Sequence, residues 1–229
     1  LKKIFFLLKK LPHIKIISNL VLRTDSLFIN IKDNINLKDI FYIEADYIWG
    51  RKYKLFQWRS KIKGFSIILG AGIHMVDLVM WLLNSRPIYV TTYANDIATK
   101  NSTFKKKSFV LIVLEFPNKI LVKISANAAG IYEHFHEIKI FEKNKTFSHS
   151  YSGTFNIIEK KNKTVLKKIN SNYPEKKNRK KLIHNFIDSL RNEKIKPIIS
   201  LKDQIDVMSV CFASERSLKL NKKIKIKYL

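Results

Sequence analysis

The middle of the chain, from residue 88 to residue 169, is a succession of strand-like segments separated by very short turns. Six segments run apolar or alternate with period two: "IYVTTYAND", "SFVLIVLEF", "KILVKISAN", "HEIKIFEK", "TFSHSYSG" and "TVLKKI". The turns "PNK" at 117–119 and "KNK" at 143–145 suit antiparallel strands, because a parallel connection needs a crossover of about a dozen residues or more. The sequence therefore predicts a mostly antiparallel sheet.

Helical patterns lie on both sides of this strand region. Residues 1–10 are typical of the end of an amphipathic helix that Pro12 stops, and "IKIISNLVLR" indicates a strand ending near Arg23. Thr24 or Asp25 is a plausible N-cap for a further helix, and "IFYIEADYIW" indicates a strand. Two helices, "KKNRKKLIHNFIDSLRNE" and "LKDQIDVMSVCFASERSLKL", and a strand, "KIKIKYL", close the chain. This order predicts an α+β fold: an open, mostly antiparallel sheet with helices packed on one face.

The charge of the chain permits two interpretations. The formal net charge is +26, which is typical of proteins that bind nucleic acid or another anion, but only seven of the 44 basic residues are Arg. Lysine is abundant together with Ile and Asn, and all three have adenine- and thymine-rich codons. A coding bias therefore explains the charge without a binding partner. We therefore favour coding bias over a selected anion-binding surface, and we expect no nucleic-acid partner.

The cysteine content and the apolar segments indicate the cellular compartment in which the chain is expected to work. Cys211 is the single cysteine, which excludes an intrachain disulfide and agrees with a reducing compartment such as the cytoplasm. Its apolar neighbours "MSVCFAS" favour a buried side chain over a nucleophile. The start "LKKIFFLLKK" is too short in its apolar part for a secretory signal, and we expect no membrane-spanning segment.

The stretch "GFSIILGAGIHMVDLVMWLL", residues 64–83, has the appearance of a dinucleotide-binding turn. Gly70 and Gly72 fill the first two positions of the glycine fingerprint, but Met75 stands at the third. His74 also falls inside the turn, where the phosphates would need space. Since His74 and Asp77 argue against a bilayer-spanning helix as well, a buried helix fits this stretch best.

Three long segments of the chain resemble one known family. The segments are "SNLVLRTDSLFINIKDNI", "YIEADYIWGRKYKLFQWRSKIKGFSIILGAGIHMVDLVMWLLNSRPIYVTTYANDIAT" and "FIDSLRNEKIKPIISLKDQIDVMSVCFASERSLKL". They resemble the C-terminal part of the Gfo/Idh/MocA oxidoreductases, the glucose-fructose oxidoreductase and inositol dehydrogenase relatives. The resemblance implies an α/β domain that holds a sugar or cyclitol substrate, acts with NAD or NADP, and often forms homo-oligomers through its open sheet face.

The most specific element of the resemblance is "GIHMVDLVMWLL", which implies that His74 is the catalytic histidine. We expect the helix to begin near Gly72, so that the positive end of its dipole keeps His74 neutral and able to accept a proton. A core histidine satisfied by a neighbour is the alternative. Asp77, one turn further along, is interpreted as structural support, orienting the helix or a backbone amide. Many family members carry an aspartate where this chain has Gly70.

Basic and aromatic positions are candidates for the substrate pocket. Guanidinium groups and an aromatic face suit polyhydroxylated or anionic ligands, and a solvated basic surface is the alternative for each position. The candidates are Arg23, Arg51, Lys54, Trp58 and Arg59. His134 and His136 have a spacing that could hold a metal, but no third ligand is evident and we expect no metal site.

The cofactor part of the family has no counterpart in this sequence. Neither the glycine loop that binds the nucleotide nor the family's Glu-Lys-Pro segment occurs, so the resemblance implies that both would precede residue 1. We interpret residues 1–22 as a remnant of the nucleotide-binding domain and residues 23–229 as the substrate-binding and oligomerisation domain, inactive alone. A non-catalytic scaffold and a cationic nucleic-acid-binding protein are the competing hypotheses.

Overall fold

One nine-stranded sheet organises the computed structural model of the chain, which describes residues 2–11 and 13–229. Its strands are β1 (Ile40–Ile48), β2 (Tyr89–Asn95), β3 (Phe109–Glu115), β4 (Leu121–Asn127), β5 (Phe135–Glu142), β6 (Lys145–Ser150), β7 (Gly153–Lys160), β8 (Lys163–Lys168) and β9 (Ile224–Lys225). The order across the sheet is β8-β7-β6-β5-β1-β4-β3-β2-β9. Only β1 and β4 pair in parallel among these strands, so the predicted antiparallel character is confirmed.

The helices are α1 (Lys2–Lys10), α2 (Ser26–Asn34), α3 (Trp58–Lys61), α4 (Ile73–Leu83), α5 (Asn178–Arg191) and α6 (Leu201–Leu220). Short 3-10 turns occupy Val21–Thr24, Lys52–Leu55, Ile97–Thr99 and Pro117–Lys119, and a π-helical turn, Ile68–Gly72, leads into α4. The predicted N-cap of α2 is confirmed at Asp25, whose carboxylate accepts from the Leu27 N–H at 3.0 Å. Pro12, predicted to stop α1, lies outside the described residues.

The core lies between one face of the sheet and the pair of helices α4 and α6. Strand β1 shows why: Ile43, Ala45, Tyr47 and the following Trp49 are buried on the helix side, while the residues between them are only partly buried. The period-two alternation of β1 thus faces an almost wholly apolar α4, of which eight of eleven residues are buried. The predicted packing of helices on one face is confirmed.

One predicted strand is wrong, and one strand of the sheet was not predicted. Residues 14–23 do not form a strand: residues 14–20 are irregular and a 3-10 turn follows, since no strand of the described sheet lies beside them to complete a ladder. Strand β7, with the sequence "GTFNIIEK", was not anticipated, because its alternation is interrupted by Asn156 and it carries little buried surface. It joins β6 and β8 by tight turns at the far end of the sheet.

Candidate functional site

His74 enters the site from a helix that begins earlier than expected. The π-helical turn Ile68–Gly72 runs directly into α4, so His74 is the second residue of α4 but is preceded by helical turns. The N–H of Gly70 is already bonded to the Ser66 carbonyl at 2.9 Å, and that of Ile73 is bonded as well. The expectation that a free helix N-terminus keeps His74 neutral is therefore wrong, because the unbonded N–H groups lie upstream.

Three histidines and a tyrosine meet on the helix side of the sheet. We call His74, His134 and His136 the histidine cluster. The ring of Tyr47, from β1, stacks on His74 with centroids 5.7 Å apart and an interplanar angle of 20°. Its other neighbours are His136, at 4.6 Å, and His134, at 5.4 Å, both edge to face. His136 lies 5.1 Å from His134 and 6.5 Å from His74. Tyr47 thus holds the cluster together.

Burial keeps the histidine cluster neutral. It lowers the pKa of His74 to about 4, with a smaller contribution from His134. Burial likewise lowers the pKa of His134, followed by the positive charge of Arg51, and it lowers the pKa of His136 well below the usual value. His74 is only partly buried and makes no hydrogen bond to any of the described residues. A neutral imidazole nitrogen at this position is therefore free to bond a ligand.

The orientation of the other two histidines is fixed by hydrogen bonds. Nδ1 of His134 is 3.0 Å from the carbonyl oxygen of Trp49, and Nδ1 of His136 is bonded to the hydroxyl of Tyr173. The first contact depends on Gly50, which has φ of +60°; a Cβ there would lie 2.5 Å from the backbone nitrogen of His134. Gly50 therefore allows the end of β1 to pass close to the start of β5.

Arg23 and Asp77 form a buried ion pair separate from the histidine cluster. Nη2 of Arg23 is 2.6 Å from Asp77, its Nε is 3.1 Å from both carboxylate oxygens, and Nη1 is 3.4 Å from Asp203. Both residues of the pair are buried, at 6% and 0% exposure. Burial raises the pKa of Asp77 to about 6, and Arg23 opposes the shift.

These contacts bear on two of the predicted site residues. No described contact joins Arg23 to the histidine cluster, so the structure does not bring it together with the other substrate candidates; its guanidinium is committed to carboxylates. Asp77 connects α4 to the 3-10 turn before α2 through the side chain of Arg23, whereas the sequence suggested that it orients the helix or a backbone amide. Its structural interpretation stays a prediction.

Replacing Asp77 with Asn should lower the free energy of unfolding by about 3 kcal/mol, because a buried guanidinium loses its charged partner. Urea denaturation at pH 7 measures this loss. The matched control is Glu115→Gln, which breaks an exposed pair with Lys223 and should cost less than about 1 kcal/mol. Equal losses in the two variants would show that the buried pair has no special role.

The segment 51–63, which we call the basic loop, lies next to the histidine cluster. It carries six cations and no carboxylate: Arg51, Lys52, Lys54, Arg59, Lys61 and Lys63. The guanidinium of Arg59 lies 4.1 Å from the ring centroid of Trp58 and 5.1 Å from that of Trp49. Lys54 lies 5.9 Å from the ring of Tyr53. Lys106 donates to the Arg59 carbonyl at 3.3 Å and so fixes the end of α3.

The glycine pair that suggested a dinucleotide site cannot hold a pyrophosphate. A Cβ placed on Gly72 would meet Ala126 and Ile112, both at 3.7 Å, so this glycine faces the sheet. A Cβ on Gly70 would lie 2.9 Å from the ring of Phe65. The described element before the turn is the short helix α3, where a nucleotide-binding turn would follow a strand directly. The N–H of Gly70 is bonded to Ser66 within the helical turns. The described residues therefore offer no fit for NAD or NADP at these glycines.

Sequence reasoning missed three contributors to the site. Tyr47 and Trp49 could have been identified from the alternation in "IEADYIWG", since period two places them on the face that Ile43 and Ala45 bury. Tyr173 gave no signal, because it lies in an irregular segment brought beside β5 only by the tertiary fold. The described residues contain no group of three or more His, Cys, Asp or Glu arranged to hold a metal ion.

Fold and site together define a class: an α+β domain with a histidine on a buried helix over an open, mostly antiparallel sheet. The model of the oxidoreductase family's C-terminal alpha/beta domain, Gfo/Idh/MocA, matches residues 32–226. The chain belongs to this family. No curated protein matches its sequence.

Solved structures share the fold at low sequence identity. The myo-inositol 2-dehydrogenase of Lactobacillus plantarum is 15% identical with a TM-score of 0.79, over 99% of this chain and 69% of that one. The scyllo-inositol dehydrogenase of Lactobacillus casei, solved with NAD(H) and scyllo-inositol, is 13% identical with a TM-score of 0.74, over 95% and 66%. A putative NADPH-dependent oxidoreductase of Desulfitobacterium hafniense is 14% identical with a TM-score of 0.79. The chain therefore spans about two thirds of these proteins.

No described helix is both long enough and apolar enough to serve as a membrane span. Cys211 is a free cysteine with no exposed surface, and burial raises the pKa of its thiol, in agreement with the predicted buried side chain.

Proposed function

We propose that this chain is the substrate-binding part of an NAD(P)-dependent oxidoreductase acting on a sugar or cyclitol, with His74 as the base. The observation that supports this most directly is the His74 ring: it is neutral, partly buried and stacked on Tyr47, and no described residue makes a hydrogen bond to it. A neutral imidazole in that position can accept the proton of a substrate hydroxyl. The nicotinamide, when bound, would take the hydride from the carbon that carries this hydroxyl.

The surroundings of His74 suit a polyol ring. Tyr47 fixes the plane of the imidazole, and the other histidines present neutral ring nitrogens. Arg51, Lys54, Trp58 and Arg59 lie on the basic loop, and we propose that they line the substrate pocket. Trp58 has 52% of its surface exposed and offers an aromatic face that a sugar can cover.

The cofactor is expected outside these 229 residues, since the only paired glycines are used by the α4 turn. The experiment is a fusion of this chain behind the part of the Lactobacillus plantarum enzyme that the chain does not cover. With NAD or NADP, the fusion should oxidise at least one polyol among myo-inositol, scyllo-inositol, glucose, D-glucuronate and D-glucose 6-phosphate. The added part alone, and this chain alone, should not. A folded fusion that binds NAD and oxidises none of these polyols contradicts the proposal.

We also propose that the chain self-associates through the open face of the sheet. This face carries Leu111 and Val113 of β3, together with Ile48 of β1. Its centre is more polar than the sequence of β3 suggested, because Asp46 and Lys123 form an ion pair there at 2.9 Å. A mixture of apolar strips and paired charges is typical of interfaces between subunits.

Light scattering at about tens of micromolar should therefore report a dimer or larger species, within the usual range of such interfaces. Val113→Lys should shift the population towards monomer, because it places an unpaired charge on the face. Ile187→Lys on α5, at 37% exposure, adds the same charge elsewhere and should change nothing. A monomer in the unmodified chain contradicts the proposal.

A further inference from the structure

Arg59 is held in a way that leaves its donors available. Its guanidinium is flanked by the exposed ring of Trp58 and the buried ring of Trp49. Contact with aromatic rings fixes the position of a guanidinium without using its N–H groups as hydrogen bonds to carboxylates would. Arg59 therefore keeps a planar edge of donors, at a defined place, for something outside the described protein.

The two arginines of the basic loop, Arg51 and Arg59, lie close to the residues that surround His74. From Arg59, a continuous series of rings leads to the candidate base: Trp49 at 5.1 Å, then Tyr47 at 6.2 Å from Trp49, then His74 at 5.7 Å from Tyr47. The charge of Arg51 is felt by the cluster as well, since it is among the causes that lower the pKa of His134 and His136, after burial. Both arginines thus lie beside the histidine cluster, Arg59 through Trp49 and Arg51 near His134.

The scarcity of arginine makes these positions informative. Lysine is abundant throughout the chain, whereas arginine occurs seven times. Arg23 is bound by Asp77, Arg86 by Asp206 at 2.8 Å, and Arg179 donates to Asn19 at 3.3 Å. Five arginines form no ion pair with a carboxylate among the described residues: Arg51, Arg59, Arg179, Arg191 and Arg216. Of these five, only Arg59 lies over aromatic rings in the described contacts.

The chemistry of the basic loop points to one type of ligand group. Sugar hydroxyls both donate and accept, and a site for a neutral polyol benefits from carboxylate and amide acceptors. The basic loop has six cations, which only donate, and no carboxylate. Donors of this kind match a group that only accepts, which means an ionised carboxylate or a phosphate.

We propose that the substrate of this site is an anionic sugar or cyclitol, and that Arg59 and Arg51 bind its carboxylate or phosphate while His74 faces a hydroxyl. This inference rests on the proposed function and narrows its substrate class. Arg59 supplies a fixed, planar contact and Arg51 a second, exposed cation. The shared chemistry of the two anions is a set of acceptor oxygens that a guanidinium can engage in pairs.

The test is calorimetric titration of the 229-residue chain with D-glucuronate, D-glucose 6-phosphate and D-glucose. At least one anionic sugar should bind about tenfold or more tightly than glucose, the usual worth of a charge-assisted hydrogen bond. The tighter of the two identifies the anion as carboxylate or phosphate. Raising the salt concentration should reduce the preference, because part of it is electrostatic.

Single substitutions test which residues cause the preference for anionic sugars. Arg59→Gln and Arg51→Gln should each remove most of the preference for the anionic sugar, and Trp58→Ala should weaken it by releasing Arg59. Arg191→Gln makes the same charge change on the exposed end of α5 and should leave the preference intact. Anionic sugars that bind no tighter than glucose overturn the proposal, as does a preference that falls equally in Arg191→Gln.

The fusion separates this inference from the proposed function. A fusion that oxidises neutral cyclitols through His74, with no advantage for anionic sugars, would retain the proposed function and overturn the anionic substrate. Anion-selective binding that depends on Arg59, combined with an inactive fusion, would support the anion site and count against the oxidoreductase role of the chain.

Discussion

In the active fusion described above, His74→Ala should lower turnover by about a hundredfold or more, the usual contribution of a positioned general base. The reason is that His74 is the one member of the histidine cluster with no ring nitrogen bonded to a described residue, whereas Nδ1 of His134 and Nδ1 of His136 are already engaged. Steady-state kinetics on the fusion measures the effect. Removing the base should reduce kcat much more than it raises KM.

The control for this variant is His184→Ala, on the exposed side of α5, which should leave turnover unchanged. An unchanged rate in His74→Ala would refute the assignment of the base. Gly70→Asp restores the aspartate found in many relatives, but its Cβ would lie 2.9 Å from the ring of Phe65. Any gain from the carboxylate therefore requires Phe65 to move.

Acid should destabilise the fold between about pH 6.5 and pH 4, where exposed carboxylates are still ionised. Burial lowers the pKa of His74 and of His149 to about 4 each, whereas histidines of the unfolded chain bind protons near their ordinary pKa of 6.5. Between pH 6.5 and pH 4 these two histidines bind protons in the unfolded state but not in the folded state. The part of the free energy of unfolding that they contribute above pH 6.5 is therefore lost as the pH falls towards 4. The two residues together should cost about 4 kcal/mol at pH 5.

Urea denaturation at pH 7, 6 and 5 provides the measurement. His149 is 3% exposed and its Nδ1 is bonded to Thr154 at 2.7 Å, while its Nε2 has no hydrogen-bond partner within residues 2–11 and 13–229. His149→Gln should therefore make the dependence of stability on pH visibly shallower, and His184→Gln, at an exposed position, should leave it unchanged. Constant stability from pH 7 to pH 5 would mean that the buried histidines are protonated without cost.

The spacing of apolar residues and the lengths of the turns were sufficient to predict most of the fold. The segment "SFVLIVLEF" became β3 and "LKDQIDVMSVCFASERSLKL" became α6 with the same bounds, because a long apolar or amphipathic pattern has one favourable partner, the core. The order of strands was not predictable, since hydrogen bonding between β1 and β4 is decided by which faces pack in three dimensions. The strand predicted at residues 14–23 was wrong for the same reason, because a strand forms only where a neighbouring strand can complete its hydrogen bonds.

The candidate site was predictable in part. "GIHMVD" identified His74 and its helix, but the π-helical turn before it left no sequence signal, so the reason given for a neutral histidine was wrong while burial provides another. Arg23 illustrates the opposite limit: a charge at the edge of an element was interpreted as a ligand contact, and its partner Asp77 lies 54 residues further along the chain. Charge patterns along a sequence do not reveal which distant carboxylate becomes a neighbour.

The single parallel pairing in the sheet has a consequence for how the site comes into being. Strands β2, β3 and β4 form one meander of neighbours along the chain, and β5 to β8 form another, so each can pair locally. Only β1, which precedes both, joins them, and its pairing with β4 and β5 requires closure of a long loop. Tyr47 belongs to β1. In a partly folded chain in which only the two meanders have formed, the ring that contacts both His74 and His136 is therefore not yet in place.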